Sequence, residues 1–194
     1  MFRRTFGEPE NLTILALLPS YLERGDSSLV YMCDMLIRRT RSEYSVFYLN
    51  QFNELKEVLE ILRRENRKVW LIGVSFALLD FSELRPAVWP ELMLVETGGM
   101  KGRRKEMIRE ELHARIRENW PLEHIYSEYG MTELLSQAYA LKDGVFACPP
   151  WMKVRIRDSY DPFSVVQAGQ SGGIDVCDLA NLDSCAFIST EDLG

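Results

Sequence analysis

Histidine and cysteine are scarce in this chain. Its 194 residues include two histidines, His113 and His124, and four cysteines, Cys33, Cys148, Cys177 and Cys185, none in a C-x-x-C pair. A zinc site needs a tighter cluster than this. The cysteines read as free thiols of a reducing compartment. A disulfide between Cys177 and Cys185 has nothing to recommend it. Long apolar runs are missing too. The longest, residues 12–18, contains a threonine and is far too short to cross a bilayer. The start, Met1-Phe2-Arg3-Arg4, leads into polar residues rather than an apolar stretch of signal length. A cytoplasmic protein with no membrane span is the expectation. Neither sign of charge dominates. The net charge of −6 argues against a dedicated nucleic-acid binder, which usually shows a basic face. The basic run at residues 101–105 is local and is answered by Glu106, Glu110 and Glu111. No internal repeat and no low-complexity segment occurs.

What is present is ordinary globular chain. A composition of 46% hydrophobic and 27% charged residues excludes the disordered and fibrous classes. Residues 12–18 (LTILALL) read as a strand buried on both faces. Asp26 or Ser27 can cap a following helix, whose Leu29, Met32, Cys33, Leu36 and Ile37 share one face. Residues 46–49 read as a strand and 52–64 as a helix with Leu55, Val58, Leu59 and Leu62 inward. Strand 69–74, a short helix at 76–81 and strand 92–95 follow. A charged helix at 103–118 comes next, with Met107, Ile108, Leu112 and Ile116 inward, and then a short strand at 124–126. This alternation predicts an α/β fold with a largely parallel sheet flanked by helices. Beyond residue 140 the pattern changes to strands at 145–147, 152–157, 173–178 and 186–189, separated by turn residues. The expected organisation is therefore an α/β nucleotide-binding part over 1–140 and a smaller β-rich subdomain over 141–194.

Three places carry candidate chemistry. Tyr129-Gly130-Met131-Thr132-Glu133 follows a predicted strand. Its glycine allows a sharp turn. If Thr132 and Glu133 open a helix, the exposed N–H groups there suit a phosphate, and Mg²⁺ bridges a glutamate to it. The alternative is a strand-to-helix turn with a threonine cap. Gly98 and Gly99, with Gly102 and Lys101, form a loop of exposed amides that can hold a phosphate or lie against a purine. This loop matches neither G-x-G-x-x-G nor the Walker pattern, and a turn that only needs positive φ is the alternative. Asp192 follows a predicted strand and can accept both hydroxyls of a ribose, or be an ordinary turn residue. Ligands of open α/β sheets bind beyond the carboxyl ends of the strands, so Gly98–Gly99 and Tyr129–Gly130 should share one sheet edge. His124 reads as a half-buried structural residue, and the four tryptophans as core or rim packing.

Tyr129-Gly130-Met131-Thr132-Glu133 resembles the Tyr-Gly-x-Thr-Glu motif of the adenylate-forming superfamily of acyl-CoA synthetases and phenylacetate-CoA ligases. The wider context is most similar to the long-chain-fatty-acid acyl-protein synthetases of the bioluminescence system. That context is Leu18-Pro19-Ser20-Tyr21, Gly98-Gly99-Met100-Lys101-Gly102, YSEYGMTELLSQAY, and Asp178 to Asn181 followed by FISTEDLG at 187–194. The resemblance runs over most of the chain with the motifs in the family's order. It implies ATP-dependent conversion of a carboxylic acid to acyl-AMP, then transfer to a thiol, of CoA or of a protein. It implies that Tyr129 lies against the adenine, beside Gly130. Thr132 contacts the phosphate and substrate carboxylate, and Glu133 binds Mg²⁺. Gly98 and Gly99 border the adenine and acyl pocket, and Asp192 holds the ribose. The family's Ser/Thr/Gly-rich phosphate loop, its hinge and its lysine-bearing small domain have no counterpart here, and no cysteine is assignable as nucleophile. The expectation is an incomplete large domain, with complementary domains elsewhere and little or no catalysis by the chain alone. A non-catalytic nucleotide- or partner-binding module is the alternative.

Overall fold

A computed structural model describes residues 1–19, 27–98, 107–142 and 144–194. These residues form two units, one of residues 2–129 and 139–146, the other of Met1, Gly130–Ala138 and Ala147–Gly194.

The first unit is built on apolar strands. β1 (Thr13–Leu17) and β3 (Val69–Val74) are buried at every position, as strands covered on both faces must be. β2 (Val46–Tyr48) is the edge strand and is half exposed. β4 (Leu92–Thr97) and β5 (Ile125–Tyr129) follow. The pairings β2–β1, β1–β3, β3–β4 and β4–β5 are all parallel. β6 (Ala138–Ala140) and β7 (Phe146–Ala147) complete a seven-stranded sheet of order β2-β1-β3-β4-β5-β6-β7. Its first five strands have the 2-1-3-4-5 order of a doubly wound sheet, in which ligands bind beyond the carboxyl ends of the strands.

Helices cover both faces. α1 (Phe2–Phe6), missed in the sequence, brings two phenylalanines onto one face. There Phe2 meets Trp70 edge-on at 5.0 Å, and Phe6 meets Tyr139 at 5.0 Å and Tyr126 at 5.9 Å. α2 (Ser28–Ile37) starts where Ser27 Oγ accepts a hydrogen bond from the Val30 N–H at 3.3 Å. That satisfies one of the donors a helix start leaves open. α3 (Phe52–Arg64) buries Leu55, Leu59 and Leu62, its stripe at three- and four-residue spacing. Phe52 packs on Phe81 of α4 (Ser75–Ser82) at 5.9 Å, and Phe81 on Trp120 at 5.5 Å. Trp120 ends α5 (Arg109–Asn119), so α3, α4 and α5 lie on one face. Of the helix expected at 103–118, the described residues show Arg109–Asn119 as helical, and residues 103–106 lie outside them. Leu112 and Ile116 point inward as expected, but Ile108 precedes the helix and is 70% exposed. Among the described residues no helix is long and apolar enough to cross a membrane.

The second unit contains an antiparallel sheet of β8 (Met152–Arg157), β9 (Gly173–Asp178) and β10 (Phe187–Leu193), in the order β10-β9-β8. β10 runs four residues past the predicted end, with an irregular register between Ser189 and Leu193.

Candidate functional site

The carboxyl ends of β4 and β5 place two of the predicted residues side by side. Thr97 pairs with Glu128 in parallel register, which sets Gly98 next to Tyr129. Gly98 has φ +67°, a conformation that favours glycine. Its carbonyl accepts a hydrogen bond from Ser75 Oγ at 2.6 Å. The Tyr129 ring stands edge-on to Phe146 at 6.1 Å and 69°. The Arg109 guanidinium covers the Phe146 ring at 4.8 Å. Gly99 and Lys101 lie outside the described residues.

Two residues before Gly98 on β4 stands Glu96, whose side chain is 7% exposed. Ser75 Oγ lies 3.1 Å from its Oε2, and Arg109 Nε 3.4 Å from its Oε1. His113 Nε2 stands 3.8 Å from Oε1, too far for a hydrogen bond. Neither His113 Nε2 nor Ser127 Oγ has a hydrogen-bond partner among the described residues, though both are buried. Burial pushes the Glu96 carboxyl up, but the nearby polar atoms of His113 and Ser127 and the positive charge of Arg109 outweigh it and hold it below the usual carboxylate range. His113, Ser127 and Arg109 also line a cavity of about 450 Å³ between α5 and the β5–β6 strands, with Arg117, Lys142 and Gly144 at its wall. Strands alternate faces, so Glu128 points to the other side of the sheet from Ser127. There it accepts a hydrogen bond from the Thr97 hydroxyl. Burial raises its carboxyl to about 7; the Thr97 bond opposes this and the charge of Glu96 adds to it.

The second unit holds the rest of the motif. The expected helix at Thr132 does not form. Thr132 and Glu133 occupy a turn, closed by the Leu134 N–H donating to the Met131 carbonyl at 3.1 Å, and the chain goes on to β6. The reason lies downstream. Asp178 and Asn181 hold the following residues extended: Asn181 Oδ1 accepts from the Leu135 N–H at 2.9 Å, and Nδ2 donates to the Glu133 carbonyl at 2.7 Å. Asp178, fully buried, accepts from the Ser136 N–H at 2.9 Å and its hydroxyl at 2.8 Å. With no helix there, a helix dipole cannot hold a phosphate at Thr132. The side chains of Thr132 and Glu133, and Gly130, are exposed. Asp192 is also exposed, but sits inside β10 rather than after it, its N–H donating to Thr190 Oγ1 at 3.1 Å.

Mg²⁺ commonly binds one or two carboxylates plus substrate phosphates, so an exposed Glu133 on a pinned backbone fits that demand. Among the described residues no group of three or more acidic, histidine or cysteine side chains is placed to hold a metal by itself. His124, expected to be half-buried, is exposed and pairs with Glu123 at 3.4 Å. Trp70, Trp89 and Trp120 are core residues, while Trp151 is 40% exposed and donates to Ser136 Oγ. Sequence reading missed Ser75, Glu96, Arg109, Ser127 and Phe146 as neighbours of the crevice. The available signal was a polar residue closing an apolar strand, as Ser75 closes VWLIGV and Glu96 ends LMLVE.

No family model and no curated protein matches the chain. Solved structures do. MatB from Rhodopseudomonas palustris in its ATP-bound form is similar over 100% of this chain, with 16% identity and a TM-score of 0.64. The amide bond synthetase McbA from Marinactinospora thermotolerans matches over 100% of the chain at 18% identity and TM-score 0.64. A benzoate CoA ligase from Burkholderia xenovorans LB400 matches at 13% identity and TM-score 0.52. The chain shares the fold of these proteins and spans 39% of the MatB chain and 41% of the other two.

Proposed function

We propose that the chain forms the nucleotide-binding part of an ATP-dependent enzyme that activates a carboxylic acid as its acyl-adenylate. The observation that carries this is the placement of Gly98 beside Tyr129 at the carboxyl ends of two adjacent parallel strands. The similarity to an ATP-bound MatB, a CoA ligase and an amide bond synthetase supports it. In this reading, as the resemblance assigns them, Tyr129 beside Gly130 lies against the adenine, and Gly98 and Gly99 border it. Asp192 takes the ribose hydroxyls, Thr132 contacts the α-phosphate and the substrate carboxylate, and Glu133 holds Mg²⁺. The substrate carboxylate attacks the α-phosphorus and pyrophosphate leaves. A thiol, of CoA or of a protein, then takes the acyl group and AMP leaves. Bound Mg²⁺ supplies positive charge to the phosphates. The fatty-acid-specific acyl-protein synthetases are the branch the motif context favours. Cytoplasmic location fits that branch.

Titration of the chain with AMP and with ATP, with and without Mg²⁺, tests the site. Binding of ATP that needs Mg²⁺, and loses that need in Glu133→Ala, supports the reading; no nucleotide binding refutes it. The turn at Thr132 and Glu133, in place of a helix start that would hold a phosphate, favours a second reading, a nucleotide-binding module without catalysis of its own. Pyrophosphate exchange with fatty acids separates the two: absent exchange by residues 1–194 fits the module, and robust exchange rejects it.

A further inference from the structure

We propose that Glu96 is a positioning residue that holds both flanks of the nucleotide crevice without touching the nucleotide; the inference rests on the nucleotide reading above. One chain of contacts leads from Glu96 to each flank. On one side Glu96 Oε2 lies 3.1 Å from Ser75 Oγ, which donates to the Gly98 carbonyl at 2.6 Å. The hydroxyl has one proton and two acceptors, so it is shared between them, and the carboxylate fixes its orientation. On the other side Glu96 Oε1 lies 3.4 Å from Arg109, whose guanidinium covers Phe146 at 4.8 Å. Phe146 in turn meets the Tyr129 ring. The Arg109 side chain is 37% exposed, so without its carboxylate it is free to turn to water and leave the Phe146 ring.

Stability alone does not call for a carboxylate at this position. A buried ion pair is often no more stable than well-packed apolar residues of the same volume. The rest of β4 from Leu92 to Val95 is apolar, so an apolar residue at 96 would continue the strand. What an apolar residue would not do is join Ser75 to Arg109. The two contact chains end on Gly98 and Tyr129, the two residues that the nucleotide reading places against the adenine.

The test uses the whole chain, with AMP titrated by calorimetry into wild type, Glu96→Gln and Phe146→Ala. Glu96→Gln keeps the shape and removes the charge. The expected result is an AMP Kd raised about tenfold with little change in melting temperature. In the arginine side-chain NMR spectrum the Arg109 Nε–H should lose its displacement by the Phe146 ring. Phe146→Ala interrupts the same route from its far end, so the double variant should lose less affinity than the sum of the singles. Arg115→Gln, which breaks the exposed Glu111 pair on the same helix, should leave AMP affinity unchanged. Wild-type affinity in Glu96→Gln, or strict additivity with Phe146→Ala, overturns the positioning role. If wild type itself binds no AMP, the nucleotide reading falls and the inference with it, a result told apart from the first because there wild type binds.

Discussion

Replacing Glu128 with glutamine should stabilise the protein at pH 8 and not at pH 4. The Glu128 carboxyl titrates at about 7 in the folded chain against 4.5 for an ordinary glutamate, chiefly because it is buried. The unfolded chain releases this proton near 4.5, and the folded chain near 7. Between those values the folded state binds more protons, so stability falls as pH rises through the window. Above the window the cost is complete; below it both states are protonated and the cost vanishes. At about 1.4 kcal/mol for each tenfold change in proton affinity, the cost approaches about 3 kcal/mol. A domain stable by roughly 5–15 kcal/mol would feel that. Glutamine keeps the shape and can still bond Thr97, but it never ionises. Urea unfolding of wild type and Glu128→Gln at half-unit steps from pH 4 to pH 8.5 measures it. The difference between the two should open between pH 5 and 7 and then level off. A difference that stays constant across the range would sink the reasoning, because no group at position 128 would then be titrating.

Phe81→Ala should cost about 3–5 kcal/mol in the same assay, since Phe81 is fully buried between Phe52 and Trp120. Asn181→Ala should cost about 2 kcal/mol, because it strands the Leu135 N–H and the Glu133 carbonyl. Faster amide exchange at Leu135 checks that assignment. Gly172→Ala should destabilise strongly, as a Cβ there would lie 2.1 Å from the Arg157 carbonyl oxygen; normal folding of that variant would show the backbone shifts freely.

The sheet was legible because its strands are buried on both faces. β3, β8, β9 and α3 fall on the residues expected for them, since their apolar runs or stripes have sharp ends. Edge strand β2 ended one residue early, and β10 ran longer, because its last residues are polar and pair through an irregular register. The stretch after the motif misled. ELLSQAYA carries good helix formers, yet Leu134, Ser136 and Ala138 are buried in alternation while Leu135 is 67% exposed. A buried serine and an exposed leucine hide the two-residue period of a strand. Ser136 can be buried only because Asp178 bonds it, and that partner is invisible in the local sequence. For the same reason Glu96 and Ser75, each just past a predicted strand, did not read as a pair: nothing in a single sequence says that positions 75 and 96 meet.

Closing the motif turn depends on residues far along the chain. Glu133 and Leu135 are tied to Asn181 across 48 and 46 positions, and Ser136 to Asp178 across 42. A ribosome adding about 5–20 residues each second leaves the turn unbonded for roughly two to ten seconds after it is made. Through that interval the strands from β1 to β5 can already pair, while Glu133 has no fixed backbone. The most distinctive residues of the sequence are thus among the last to acquire their shape.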